Sequence, residues 1–243
     1  MSEQVLAAAD LTVGEHPEWH FLGLTFNIDT IVGMLIASAI VLGLGFAVRA
    51  KITSGPPGGI QLFFETITSF IRSQIESTLG VRVAPFLVPL SLALFVFILT
   101  SNWLALLPVH QWLAPPTADV NMPYALAILV FLWMHIEGAR RHGGPGKHFL
   151  HVAKGHYAPL APLWLLEQVT NTVALALRLF GNIFAGSMLL SIIALLPSSV
   201  SWLPNAGWKL FDMFIGFVHA TIFVLLTIVY FSEQVQTDSD AAH

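Results

Sequence analysis

No charged residue lies between Ile31 and Val48, and long stretches nearly free of charge recur four more times along the chain. A helix needs about 20 predominantly apolar residues to cross the hydrocarbon of a bilayer, so runs of this length constrain the fold more than any other feature. The first run is closed by Arg49 and Lys51, and Pro85 to Leu107 forms a second. Tyr124 to Ile136 is shorter and is closed by Glu137, Arg140 and Arg141. Leu163 to Leu196 is much longer and carries Glu167, Asn171, Arg178 and Asn182. Trp208 to Ser232 is interrupted by Asp212 and His219. Composition agrees: 56% of the residues are hydrophobic and 10% charged, where a soluble domain carries about 25% charge. The pattern predicts an all-α integral membrane protein with five membrane-spanning helices in a single domain, residues 1–243. At about 1.5 Å per residue the fourth run exceeds the roughly 30 Å core, so it must tilt steeply, kink or project.

One further helix does not span. Between Ile60 and Leu79, Phe63, Phe64, Ile67, Phe70, Ile71, Ile75 and Leu79 recur at three-to-four spacing, with Gln61, Glu65, Thr68, Arg72 and Glu76 between them. One apolar and one polar face predict an interfacial amphipathic helix over 60–80. The run Gly55-Pro56-Pro57-Gly58-Gly59 separates it from the first span. Of ten basic residues, eight fall in two connections: Arg49, Lys51, Arg72 and Arg82, then Arg140, Arg141, Lys147 and Lys154. The intervening loops, Pro108 to Met122 and Pro197 to Gly207, have none. The positive-inside rule puts the basic connections in the cytoplasm, the acidic segment 1–28 and the N-terminus outside, and the C-terminus inside. Met1 to His20 lacks the basic start and apolar core of a cleaved signal peptide. There are no cysteines, which excludes disulfides and thiolate chemistry, and a net charge of −4 argues against nucleic acid as a partner. His142, His148, His151 and His156 match no zinc spacing and read as a solvated polar loop, so neither metal nor cofactor is expected. Asp119 and Asn121 read as caps of the third span.

Arg178 is the only basic residue in the middle of a span. Placing an arginine there costs about 2.5–3.5 kcal/mol on insertion scales, and its pKa above about 12 denies it relief by deprotonation. Snorkelling is disfavoured from mid-span, so the charge points to a function. At 100° per residue, Glu167, Asn171, Arg178 and Asn182 share one helical face, edged by Ala174, Gly181 and Ala185. Small residues admit a close helix, either a partner's or one of this chain. In the fifth run Asp212, Gly216, His219, Phe223 and Tyr230 recur at three-, four- and seven-residue spacing. In an antiparallel pair Ser187 lies at a depth similar to Asp212, and the two stripes line one path from outside to mid-membrane. Plainer readings exist for each: a hydrogen-bonded packing histidine, an acid favoured by a helix start, a boundary glutamate at 167.

The stretch Leu175-Ala-Leu-Arg178-Leu-Phe-Gly-Asn182-Ile-Phe-Ala-Gly186 resembles the signature of the subunit a family of F-type ATP synthases. Ser101-Asn102-Trp-Leu-Ala-Leu-Leu-Pro108, Ala118-Asp119-Val-Asn121 and Ile222-Phe-Val-Leu-Leu-Thr-Ile-Val-Tyr230 are similar to it as well. Val48-Arg-Ala-Lys51 and Gly59-Ile-Gln-Leu-Phe-Phe-Glu65 look like bacterial members, which implies a bacterial plasma membrane. The resemblance implies a stator subunit of the Fo sector with no catalytic site of its own. Its partners would be a rotating ring of c subunits, b-type peripheral stalk subunits and the rest of the synthase. Two half-channels would bring protons to and from the ring carboxylates, with Arg178 as stator arginine beside Asn182. The last two long helices, within 160–233, would form a steeply tilted hairpin around the ring.

Two departures from the family pattern stand out. Many relatives carry Glu at the position of Ser187 and His at that of Asp212, and Gln is usual where this chain has His219. The outer path would then run through Ser187, Asp212 and His219, with Asp119, Asn121 and Tyr230 as further outer-path or capping candidates. The inner path would run near Glu167 and Asn171. A self-contained proton or cation transporter is the competing reading, but such proteins often show inverted repeats, and none is evident here. A purely structural anchor leaves Arg178 and Asp212 unexplained.

Overall fold

The computed structural model describes residues 18–21, 24–53, 55–79, 85–104, 106, 121–148, 170, 173–174, 177, 181, 185–186 and 188–235. Four helices in it are long and apolar enough to cross a membrane. The first, α1 (Ile28–Lys51), opens with Asp29 in its first turn and ends with Arg49 and Lys51, a charge order that suits the helix dipole. The Asp29 carboxylate accepts a hydrogen bond from the Thr30 amide at 2.8 Å. Its buried residues are Thr30, Gly33 and Ala37, while Leu35, Leu42 and Phe46 are each more than 60% exposed. That inverts a soluble helix: small residues turn inward at three-to-four spacing and large apolar ones turn out, as a lipid solvent favours.

The next helix, α2 (Gly59–Thr78), is the amphipathic one. Ile67, Ile71 and Ile75 form its buried stripe at four-residue steps. Phe63 and Phe70, read from the sequence as part of the same apolar face, are instead exposed beside Ile60 and Leu62. Its first turn is strapped to the end of α1. The buried Gln61 donates to the Thr53 carbonyl at 3.0 Å and accepts from the Thr53 amide at 3.3 Å, and it donates to Glu65 at 2.7 Å.

The following span, α3 (Leu87–Leu104), buries Phe95, Ile98 and Asn102 along one side. The third, α4 (Asn121–Arg141), begins at Asn121 with Pro123 inside its first turn, where a missing amide proton costs least. It buries Ala127, Val130 and Met134 and exposes Leu129, Leu132 and Trp133. The last, α5 (Ser198–Val235), runs for 38 residues. Within the fourth apolar run, every described residue from 170 to 194 is helical, but most of that run lies outside the described residues.

Two readings from sequence are corrected. Pro197 to Gly207, expected as an outer loop, is helical from Ser198, where α5 starts. The Pro197 carbonyl accepts from the Val200 and Ser201 amides at 2.9 and 3.0 Å and so nucleates the first turn. Pro204 inside the helix removes one amide donor, a loss that apolar helices in a bilayer tolerate. The preceding helical residues, 188–194, end by tightening, with Leu195 and Leu196 donating three residues back at 3.1 Å each. The other correction is His148, which is 1% exposed rather than solvated. Its ring packs 5.5 Å from that of His135 and 5.3 Å from that of His142. The segment preceding α1 also holds a feature the helical reading did not anticipate: strands β1 (Glu18–Phe21) and β2 (Leu24–Asn27) pair antiparallel, with Glu18 opposite Asn27 and Phe21 opposite Leu24.

The chain divides into two compact units: Met1–Gly43, Val96–Pro123 and Leu177–Ala220 in one, Leu44–Phe95, Tyr124–Ala176 and Thr221–His243 in the other. The second unit is built on Ile71, Ile75, Met134, Ile228 and Phe231, and the rings of Phe86 and Phe231 meet edge-on at 5.8 Å. The first contains Ala37, Ile98, Leu99, Asn102 and Ala220 in its core, and it holds the candidate site.

Candidate functional site

Asp212 sits on α5, fifteen positions into the helix, and is half-buried. Its carboxylate lies against the backbone of Gly186: a Cβ built there would stand 3.6 Å from Oδ1 and 3.7 Å from Oδ2. Gly186 is itself buried, and its lack of a side chain leaves the main chain of the fourth run open toward the acid. Among the described residues the Asp212 carboxylate accepts no hydrogen bond and forms no ion pair. A carboxylate at mid-helix in an apolar protein needs such partners or water.

His219 lies two turns further along α5 on the same face and is half-buried. Between them is Gly216, which is buried and whose carbonyl accepts a hydrogen bond from Asn102 Nδ2 at 3.2 Å. Beside it, the Trp103 indole donates to the Met213 carbonyl at 3.2 Å. Asn102 and Trp103 entered the sequence analysis only within a family-like stretch. Their signal was a side-chain amide and an indole, both hydrogen-bond donors, within a span free of charge.

The small residues of the fourth run have a clear disposition. Gly181 and Ala185 are exposed, and a Cβ on Gly181 would meet no atom within 4 Å. Leu177, Met188 and Ile192 continue the exposed face at helical spacing, at 48%, 42% and 61% exposure. Ala174, in the other unit, is exposed too. Among the described residues, then, the open side of these positions meets no packed neighbour. Arg178, Asn182, Ser187, Glu167, Asn171 and Asp119 lie outside the described residues. Asn121 is the first residue of α4, and Tyr230 is half-buried on α5 in the other unit. No group of three potential metal ligands occurs among the described residues.

The family model for the ATP synthase A chain matches residues 31–232. ATP synthase subunit a of Mycobacterium marinum is 48% identical, with 99% of each chain covered. The protein of the same name from Acidothermus cellulolyticus is 41% identical over 97% of this chain and 87% of its own. That from Bacillus subtilis is 33% identical over 90% and 96%.

Proposed function

The chain belongs to the ATP synthase subunit a family, and on that premise we propose that it is the proton-translocating stator of an Fo sector, with an outer proton path built around Asp212. As a multi-pass membrane protein of this family it works together with other synthase subunits. The observation that carries the reading is the packing of Asp212 on the Gly186 backbone. It brings an acid on α5, without a hydrogen-bond partner among the described residues, beside the residue that precedes Ser187. A half-buried carboxylate there takes protons from the outside, and His219, two turns deeper, passes or orders them toward mid-membrane. The exposed face of Gly181 and Ala185 supports a partner surface, because it is flat, apolar and open to a close helix.

That partner is a ring of c subunits bearing one buried carboxylate each. A protonated ring carboxylate is neutral and can face lipid, whereas an ionised one is tolerated only beside a fixed cation. Arg178 supplies the cation, with Asn182 next to it on the same face. It also blocks direct flow between the outer path and an inner path near Glu167 and Asn171, so protons cross only by riding the ring. The basic connections face the cytoplasm with the C-terminus, the N-terminus lies outside, and α2 rests on the inner surface, where b-type stalk subunits would join. The exposed Phe63 and Phe70 suit that interfacial position. Family membership disfavours a self-contained transporter.

Substitution of the arginine tests the reading. Arg178→Lys should abolish gradient-driven ATP synthesis while the complex still assembles, since a compact ammonium does not reproduce a planar fork that stays charged. Normal synthesis by that variant overturns the assignment.

A further inference from the structure

We propose that the end of α3 is a clasp that sets the rotation of α5, with Asn102 and Trp103 as positioning residues for Asp212 and His219. The inference rests on the reading that these two groups carry protons. Two adjacent side chains on one helix reach two carbonyls one turn apart on the other: Asn102 Nδ2 to Gly216 at 3.2 Å and Trp103 Nε1 to Met213 at 3.2 Å. Each carbonyl oxygen has two lone pairs, so it can accept the side chain while keeping its own helical bond. The clasp therefore grips α5 without unwinding it.

Gly216 makes the grip possible. A Cβ there would lie 3.0 Å from Asn102 Cβ, closer than side chains normally pack. Asn102 is 3% exposed, and its Oδ1 makes no hydrogen bond to the described residues, so the amide is held by its donor alone. The gripped carbonyls fall between Asp212 and His219. Turning α5 by one residue's worth, about 100°, would carry both groups off the face they share. A buried hydrogen bond in a surrounding without competing water resists that rotation better than apolar packing, which is non-directional.

A covalent replacement of the clasp tests it in the whole synthase, in inverted membrane vesicles. The chain has no native cysteine, so Asn102→Cys with Gly216→Cys places the only pair in it. The 3.0 Å approach is within about 1 Å of the mean Cβ separation in disulfides. Under reduction the pair lacks the amide donor, and ATP-driven proton pumping should fall about threefold or more. Oxidation should form the intrachain disulfide, detectable by peptide mass analysis, and raise pumping at least about twofold over the reduced form. Absence of the disulfide overturns the geometry, and a disulfide that leaves pumping unchanged or lowers it overturns the positioning role. Trp103→Phe, which removes the indole donor while keeping an aromatic ring, covers the case in which the double variant does not assemble: it should assemble fully and pump more slowly, and parental pumping overturns the clasp. Asp212→Asn run alongside separates the two readings, because normal pumping by that variant defeats the Asp212 path while the disulfide still reports on the clasp.

Discussion

Gly186→Ala tests the site at its contact with Asp212 without disturbing the fold around it. The added methyl would sit 3.6 and 3.7 Å from the two Asp212 oxygens and 3.8 Å from Cγ, which are ordinary contact distances. No clash has to be relieved. Replacing a helical glycine by alanine favours the helix by about 1 kcal/mol, so the variant should be as stable as the parent or slightly more so. The cost falls on the carboxylate. A methyl in contact with both oxygens would keep water from that side of the carboxylate, and a hydrogen bond to a charged group is worth about 1.5–3 kcal/mol, roughly a ten- to hundredfold effect on any step that needs it. The assay is ATP-driven acidification of inverted vesicles, normalised to assembled complex, with thermal dissociation of the solubilised complex measured in parallel. The expectation is an intact complex that pumps at least about tenfold more slowly. Parental pumping by Gly186→Ala would refute the argument that Asp212 is served by water at that contact. A complex that fails to assemble would refute the steric half of it.

His219→Gln should leave synthesis largely intact if the ring acts by hydrogen bonding, and steady-state synthesis in vesicles reads this directly; a large loss marks a titrating role. Gln61→Leu removes both bonds to Thr53, worth about 1–2 kcal/mol together, and should speed tryptic cleavage after the exposed Lys51 by roughly five- to thirtyfold in membranes.

The spans of α1, α3 and α4 were legible because charge cannot be hidden in hydrocarbon: each apolar run was bounded by residues that had to lie near water. The observed ends of α1 and α4 extend a few residues further, since backbone hydrogen bonds continue until the chain finds polar surroundings, whereas α3 is shorter than its apolar run by two residues at its start and three at its end. The start of α5 was misread for the same reason it exists. Pro197, Pro204 and Gly207 count as breakers in water, but in an apolar setting an unpaired backbone costs more than one missing amide. The pairing of β1 and β2 had its signal in the alternation of Trp19 and Phe21, then Leu24 and Phe26, a pattern that the acidity of the segment masks. In the site, the shared face of Asp212 and His219 followed from helical period alone. The contact of Asp212 with Gly186, and the grip of Asn102 on Gly216, depend on which helices are neighbours, and periodicity within one helix carries no information about that.

The length of α5 has a further consequence. Its exposed large apolar side chains run from Val200 to Val229, about 44 Å of helix at 1.5 Å per residue, against roughly 30 Å of hydrocarbon. If all of that length stays among lipid tails, the axis leans some 45–50° from the bilayer normal, beyond the range of ordinary spans. A helix leaning that far travels sideways about as much as it descends. Asp212 and His219, seven residues apart, would then be separated by roughly 7 Å in depth and a similar distance along the membrane plane. Such a ramp delivers an ion to a point displaced from where it entered, so its fall toward the membrane interior is already partly motion along the circumference of anything turning beside it.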